Sequence, residues 1–417
     1  MAGWKWRYTS LARNSQKTET IVPDWMPLAI ASLSLAIWVY LLAGRGGFWL
    51  TSRYDDLAPQ PAAKAWPDIV AVVPARDEAD SIKACIGSIL TQPYPGKFSV
   101  VLIDDQSRDG TAALAGQVAA EVGASERLTV IEGRTLPAGW TGKLWAVKQG
   151  LDIVASRASL PTYVLLTDAD IVYSGDVVMR LVARAEAEQL TMASVMADLR
   201  CESFAERSLI PAFIFFFQML YPFSWVRQPA SRTGGAAGGC LLARWSALRD
   251  AGGIEAIRGS LIDDCALGAK LKEQGPVWLG FSPHVKSIRA SDRFGEVGRM
   301  ISRSAYAQLH YSPILLVLTL IGLGIIYLAP VPLALLGHGW TAAFGALSWL
   351  AMALAFQPTL RYYQRSPLWG LALPAIALAY MAFTLNSAYQ HWRGRGGFWK
   401  GRAQAHVPQS RNTANSQ

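Results

Sequence analysis

The sequence is short of charge and of cysteine. Only 17% of its 417 residues are charged, while 52% are hydrophobic. That balance is too apolar for an ordinary soluble enzyme and points to membrane segments. The four cysteines, Cys85, Cys201, Cys240 and Cys265, stand scattered with no CxxC pair. They supply neither metal-site spacing nor a disulfide framework, and they suit a reducing compartment. No GxGxxG follows the first strand-like run and no GxxxxGK[ST] occurs anywhere. Those absences argue against a dinucleotide oxidoreductase and a P-loop NTPase. The net charge is +9, but the basic residues gather at the termini and before the second apolar region. Flanks of membrane spans explain that placement better than a nucleic-acid face does. No nucleic-acid partner is expected, and no feature specifies an oligomeric state.

Four apolar stretches, 26–44, 313–337, 340–356 and 366–383, approach the ~20 residues a spanning helix needs. The first lies too far from the N-terminus, and lacks the small-residue cleavage site, to be a removed signal peptide. It reads as an anchor. A fifth stretch, 209–225, is apolar but interrupted by aromatics and prolines, which suits a helix lying in the interface. The expected organisation is a tail over 1–25, an anchor over 26–44, a domain over 66–305, a membrane cluster over 313–386 and a basic tail over 393–417.

Within 66–305 the pattern alternates. Apolar runs at 68–73, 98–103, 128–131 and 163–166 read as strands. Helical periodicity covers 80–90, the stretch from Thr111 onward, and 142–156, with Asp80 or Ser81 as cap of the first. This order predicts an α/β fold, a mostly parallel sheet with helices on both faces. Ligands of such sheets sit beyond the carboxyl ends of the strands. Those ends carry "PARDEA" (74–79), "DDQSRDGT" (104–111) and "DAD" (168–170).

Asp168 and Asp170 end an apolar run. Residues two apart share a face of an extended chain, so both carboxylates aim near one point. Hard oxygen ligands of this kind hold Mg²⁺ or Mn²⁺ together with substrate phosphates. An isolated Asp-x-Asp is more often a solvated turn; the two neighbouring acidic strand ends favour the metal. Asp104 and Asp105 suit hydrogen bonds to a base or ribose, whereas Asp109 and Gly110 read as turn residues. Asp263 and Asp264 open a helical stretch. There they serve either as acids favoured by the helix dipole or, one of them, as a general base. Lys143 begins another helix, where a diphosphate could be received.

In order, these segments resemble family-2 glycosyltransferases of the GT-A fold. "VVPARDEA" is similar to the family's opening Pro-x-x-Asn-Glu segment, with Asp77 where Asn is usual. "IDDQSRDGT" resembles its nucleotide loop, "TDAD" its metal motif and "DDCALGAKL" its acidic base motif. The layout, with "GWTGKLWAVKQG" (139–150), looks closest to hopene-associated glycosyltransferases within the ceramide-glucosyltransferase-like branch. The resemblance implies a Rossmann-like GT-A domain with N- and C-terminal transmembrane helices. It also implies transfer, with inversion, of a sugar from a nucleotide-diphosphate donor, a UDP-sugar by expectation, to a lipid, a hopanoid by analogy. Asp264 would be the base, with Asp263 beside it. Pro74, Arg76, Glu78, Asp104, Asp105, Lys143 and Asp168 would bind nucleotide, and Asp168 with Asp170 would hold Mg²⁺ or Mn²⁺. One departure stands out. The family's (Gln/Arg)-x-x-Arg-Trp motif is reduced to Arg303, with Met300 and Ser304 at its flanks. Arg303 is left for acceptor or diphosphate, and polymer synthesis is disfavoured. The rivals are a polyprenyl-phosphate or polysaccharide glycosyltransferase, and a membrane scaffold that has lost catalysis.

A nucleotide-sugar donor implies a domain facing the cytoplasm, in a multi-pass protein of a bacterial inner membrane. Lys286, Arg289, Arg293, Arg299 and Arg303, and also Arg361 and Arg365, agree with that side. Arg393, Arg395, Lys400 and Arg402 conflict if every late segment crosses once, as do Lys5, Arg7, Arg13 and Lys17. Either one segment re-enters or 313–337 crosses twice around Pro330 and Pro332. "GRGGFW" occurs at 44–49 and again at 394–399, each time after an apolar segment, a headgroup-level position.

Overall fold

The computed structural model of the chain describes residue 23, residues 25–51, 56–57 and 66–397, and residue 400. The basic residues expected at Lys5, Arg7, Arg13, Lys17 and Arg402 lie outside them. Helix α1 (Trp25–Gly44) comes first. An α/β domain follows in the order β1 (Ile69–Ala75), α2 (Ala79–Leu90), β2 (Phe98–Asp104), α3 (Thr111–Glu121), β3 (Leu128–Glu132), α4 (Gly142–Ala155), β4 (Tyr163–Thr167) and β5 (Ile171–Tyr173). It continues through α5 (Val177–Ala187), β6 (Met192–Leu199), α6 (Phe204–Leu220), α7 (Phe223–Arg227), β7 (Cys240–Arg244), α8 (Trp245–Asp250), α9 (Asp263–Gln274), β8 (Val277–Ser287) and α10 (Phe294–Ser302). The last helices are α11 (Pro313–Leu323), α12 (Pro330–Leu336), α13 (Gly339–Tyr362) and α14 (Leu373–Trp392).

The first four strands and three helices of the domain stand where the periodicity puts them. The cap of α2 does not. Glu78 occupies the N-cap position without a side-chain cap bond, and the Ser81 hydroxyl donates to the Glu78 carboxylate at 3.1 Å. The sheet has eight strands in the order β3-β2-β1-β4-β7-β6-β8-β5. Strands β1 to β4 pair in parallel. Beyond β4 the sheet turns mixed: β7 runs antiparallel to β4 and β6, β8 is parallel to β6, and β5 is antiparallel to β8.

Strand β1 is buried along its whole length, because both faces of the sheet are covered. Val70 and Val72 join α4, α6 and α9 on one side. Ile69, Ala71 and Val73 join α2, α3 and α5 on the other. A continuous apolar run without alternation is what such a strand requires. The first of these cores also contains Trp38, Tyr327, Phe356 and Tyr380 of the apolar helices. Helix α6 bridges the two parts through Leu209, Phe215 and Phe216. The stretch 209–225, expected as one interfacial helix, is therefore split between α6 and α7.

Four helical segments, Trp25–Gly44, Pro313–Leu336, Gly339–Tyr362 and Pro367–Trp392, have the length and composition to cross a membrane. At 1.5 Å per residue, the 24 residues of Pro313–Leu336 reach about 36 Å, enough for one crossing of a ~30 Å hydrocarbon layer and too short for two. The segment stays helical through its prolines by a local adjustment. Ala329 N–H bonds to Gly324 O in a π-turn. Pro330 cannot donate to Ile326 O, and the Trp38 indole N–H does so instead, at 3.0 Å.

The last segment behaves differently from the other three. Helix α13 ends against the α/β domain, with Thr359 on Thr51 at 2.9 Å and Tyr362 on Phe281 of β8. The chain then retraces α13: Gln357 donates to Pro367 O and Trp349 to Leu371 O. Helix α14 climbs back out. Tyr380 donates to Leu209 O of α6, and farther along Phe383 O and Ser387 bond to Ser302, the last residue of α10, and to Tyr306 beyond it. Segment 367–392 enters and leaves on the side of the α/β domain. Three segments have the length to cross once, the last folds back, and Arg393 and Arg395 fall at the same end of the helix bundle as Arg361 and Arg365.

Single cysteines placed in a Cys201→Ser background report this arrangement. Gln364→Cys and Arg393→Cys should react with a membrane-impermeant maleimide from one face of sealed vesicles, and His338→Cys from the other. Labelling of positions 364 and 393 from opposite faces would mean that α14 crosses.

Candidate active site

The carboxyl ends of the parallel strands meet in one place. Past β4, Ala169 is buried while Asp168 and Asp170 turn toward a common cavity. The Lys143 ammonium, one residue into α4, lies 2.9 Å from Asp168 Oδ1 and 3.0 Å from Asp263 Oδ2. Asp170 Oδ2 accepts the Ser287 hydroxyl at 2.6 Å, and Oδ1 lies 3.3 Å from the Arg289 guanidinium. Arg289 also reaches Glu78 Oε1 at 2.7 Å, and the Lys400 ammonium reaches the same oxygen at 3.1 Å. The segment carrying Arg289 is pinned on both sides. Ile288 N–H bonds to Asp170 O, and Ser291 N–H bonds to Glu206, a buried carboxylate in the first turn of α6.

Asp263 and Asp264 open α9 as expected. Asp264 Oδ2 accepts Gly238 N–H at 3.0 Å, and Oδ1 accepts Cys265 N–H at 2.8 Å. The fit at Gly238 is close: a Cβ there would stand 3.3 Å from Lys143 Nζ and 3.4 Å from Asp264 Oδ2. The helix itself comes this close because Gly268 lies on the backbone of Gly235, where a Cβ would stand only 2.7 Å from Gly235 C and could not be accommodated. The small-residue run 234–239 is thus the bed of α9. Burial pushes the Asp264 carboxyl up to about 6, Asp263 adds to the rise, and Lys143 and the two N–H bonds oppose it. Burial also raises Asp168, against Lys143. Lys143 is held protonated above its ordinary range: its burial alone would lower it, but Asp168 and Asp263 more than compensate.

The residues expected to bind nucleotide divide. Asp105 is fully buried behind the loop that follows β1, paired with Arg76 at 3.7 Å. Asp104, the last residue of β2, accepts Ser107 N–H and shapes the turn. Asp109 fastens that turn to Ala79 N–H and Thr111, the structural role its sequence suggests. Pro74, Glu78, Lys143, Asp168, Asp170, Asp263, Asp264 and Arg303 line one cavity of about 1010 Å³. Arg76, Asp104 and Asp105 stand just outside it, joined to it through Arg76 and Lys400, whose carbonyl accepts Arg76 Nε–H at 3.3 Å. Arg303 is exposed, one turn beyond Arg299, and forms no ion pair among the described residues.

Two cations that flank apolar segments in the sequence, Arg289 and Lys400, stand in the site. A run of basic residues has no address in one dimension, so only the place of Arg289 two residues beyond the end of β8 could mark it. Lys400 follows directly on the second GRGGFW, a repeat whose sequence suggests a headgroup-level position rather than a site. The Gly-rich run before β7 was a legible sign of close backbone approach.

Five carboxylates, Glu78, Asp168, Asp170, Asp263 and Asp264, are held by three cations, Lys143, Arg289 and Lys400. With Asp264 ionised, two negative charges remain, the charge that one divalent cation neutralises. Among the described residues no group of three or more His, Cys, Asp or Glu is arranged to hold a metal. Two carboxylates completed by substrate phosphates is the usual arrangement for Mg²⁺, and Asp168 with Asp170 fit it.

A family model described as "Glycosyltransferase like family 2" matches residues 67–285, just over half of the 417-residue chain. The chain belongs to this family. Among solved structures, a mannosyltransferase from Pyrobaculum calidifontis, in complex with GDP-Man and Mn²⁺, aligns over 88% of this chain and 98% of its own, with a TM-score of 0.50 and 20% identity. That likeness shows the fold, GT-A. An N-acetylglucosaminyltransferase of Mesorhizobium japonicum is 27% identical over 183 residues, 43% of this chain and 41% of that protein. One from Bradyrhizobium elkanii is 29% identical over 156 residues, 37% of this chain and 79% of that protein. The match spans less than half of the first relative's length. The family-2 segment ends at 285, so Arg289, Arg303 and Lys400 lie beyond it.

Replacing Lys143 isolates the charge argument. Lys143→Met leaves Asp168 and Asp263 facing each other without a cation, and the ligand-free protein should lose about 2 kcal/mol at pH 8. Asp168, already raised by burial, loses the cation that opposes the rise, so its folded pKa lies further above its unfolded value and stability should recover as pH falls from 8 toward 5. Thermal melts of both proteins across that range measure the difference; parallel pH curves would refute the coupling.

Proposed function

We propose that this protein transfers a sugar from a nucleoside-diphosphate donor to the hydroxyl of a membrane lipid, with inversion at the anomeric carbon. One observation carries the reading. The cavity that holds the acid cluster continues into an apolar gallery lined by Phe213, Phe216 and Phe217 of α6, Leu323 of α11 and Tyr380 of α14. A water-soluble acceptor has no use for such walls. A lipid can lay its apolar part there and present a polar end to Asp264. A hopanoid alcohol is the instance the family resemblance suggests. A UDP-sugar remains the expected donor, and the curated relatives put UDP-N-acetylglucosamine first in a donor panel. The α/β domain then faces the cytoplasm.

Asp264 acts as the base. Its carboxylate is aimed by Gly238 N–H and Cys265 N–H and takes the acceptor's hydroxyl proton as that oxygen bonds to the anomeric carbon and the bond to the diphosphate oxygen breaks. Lys143 stands between Asp168 and Asp263, where a leaving diphosphate finds a fixed positive charge. A Mg²⁺ or Mn²⁺ ion held by Asp168 and Asp170 with the donor's phosphates would neutralise charge on the departing group. Asp105 and Arg76 flank the nucleoside side. The retained acids and their cations disfavour an inert scaffold.

Membranes containing the protein, incubated with labelled sugar nucleotides and extracted for lipid, test the reading. A labelled lipid should form with wild type and fall by about 10²–10⁴-fold with Asp264→Asn, while Mn²⁺-dependent UDP binding survives. Asp168→Ala with Asp170→Ala should abolish both. Label recovered only in water-soluble product would exclude a lipid acceptor.

The base also sets a pH dependence. Because Asp264 must be ionised to accept a proton and titrates near 6, kcat/KM should rise tenfold per pH unit below about 6 and level off above it. A profile flat from pH 5 to 8 would remove Asp264 from that role.

A further inference from the structure

The repeated hexapeptide is explained neither by the acid cluster nor by the acceptor gallery. Its first copy docks the end of α1. Gly46 and Gly47 take positive φ, 63° and 60°. Arg45 donates to Met219 O of α6 and lies over the Trp225 ring, 5.0 Å from its centre. Ser224 donates to Gly46 O, and Phe48 is buried. The copy is a turn that fastens a membrane helix to the α/β domain.

The second copy follows α14, which returns to the same side. Gly394 and Gly397 again take positive φ, 67° each, the left-handed conformation that glycine accepts without strain. Arg395, Gly396 and Gly397 line the wall of the active-site cavity. Lys400 then grips three successive residues of the loop after β1. Its ammonium donates to Asp77 O at 2.8 Å and pairs with Glu78 at 3.1 Å, and its carbonyl accepts from Arg76 at 3.3 Å. This loop is the one whose Arg76 holds Asp105.

Charge balance decides what Lys400 does there. Glu78 Oε1 already has a closer cation, Arg289 at 2.7 Å. Lys400 is the second positive charge on one carboxylate oxygen. An incoming phosphate can take it over without leaving Glu78 unpaired, and a charge-assisted bond to phosphate is among the stronger polar contacts available.

We infer that the segment after α14 is a strap completing the donor pocket, and that Lys400 binds the nucleoside diphosphate. The inference rests on the donor reading above. It assigns a donor-binding role to a residue far outside the family-2 segment.

The test is equilibrium binding of UDP, and separately of GDP, each with Mn²⁺, to the full chain in detergent. The proteins are wild type, Lys400→Ala and Lys400→Arg. Lys400→Ala should weaken binding of the preferred nucleotide by about tenfold, and Lys400→Arg by less than about threefold. A nucleotide-free melt of each variant separates loss of binding from loss of fold. Removal of residues 394–417 should weaken binding at least as much as Lys400→Ala. If wild type binds nucleotide and Lys400→Ala binds as well or more tightly, the strap is not a donor-binding element and the inference fails alone. If wild type binds neither nucleotide, the donor reading fails and takes the strap with it.

Discussion

The site depends on keeping like charges together. Five carboxylates converge at one edge of the sheet, and each of the three cations that hold them spans two acidic partners or shares one. Lys143 joins Asp168 to Asp263, Arg289 joins Glu78 to Asp170, and Lys400 shares Glu78. At an effective dielectric near 20, one contact at about 3 Å has a gross attraction of roughly 5 kcal/mol, much of it offset by desolvation. The pairs therefore add little to stability. Their effect is geometric: they fix acids that would otherwise repel, and they leave a charge deficit at the place where a cation and a diphosphate would enter.

The three cations come from three distant parts of the chain, and each is delivered by a different feature of the fold. Lys143 rides on the first turn of a crossover helix, where the parallel sheet points such turns toward the strand ends. Arg289 follows β8, whose parallel register with β6 and antiparallel register with β5 bring its end beside Asp170. Lys400 arrives only because α14 folds back. The first of these was legible in the sequence, since alternating strands and helices imply the parallel half of the sheet. The other two were not. Strand β5 has three residues, too few for a period to register, so its antiparallel pairing with β8 and the position of Arg289 left little trace.

The same blindness explains the conflict over basic residues. Counting Lys and Arg beside apolar stretches treats every such residue as a topological marker. Arg289 and Lys400 serve the site, and their positions follow from acids to which they are bound. For Arg361, Arg365, Arg393 and Arg395 the conflict disappears, because the fold-back of segment 367–392 puts all four at the same end of the helix bundle. Composition alone could not separate a span from a return, because 26 apolar residues are enough for either. The distinguishing facts are pairings: Trp349 with Leu371 on the way in, Ser302 with Phe383 on the way out.

Helix α14 consequently belongs to both halves of the cavity. Ala377, Tyr380 and Thr384 wall the apolar gallery, and the chain after Trp392 brings Arg395 and Lys400 to the cavity wall beside the acid cluster. Helix α10 locks it in place, with the Phe383 ring packed where a Cβ on Gly298 would stand at 2.7 Å. A spanning helix in this position could not make both contributions, since its end would leave on the opposite face. The fold-back thus lets one short segment wall the apolar gallery and reach the acid cluster. It also explains why a membrane helix, rather than the α/β domain, supplies the last cation of the cluster.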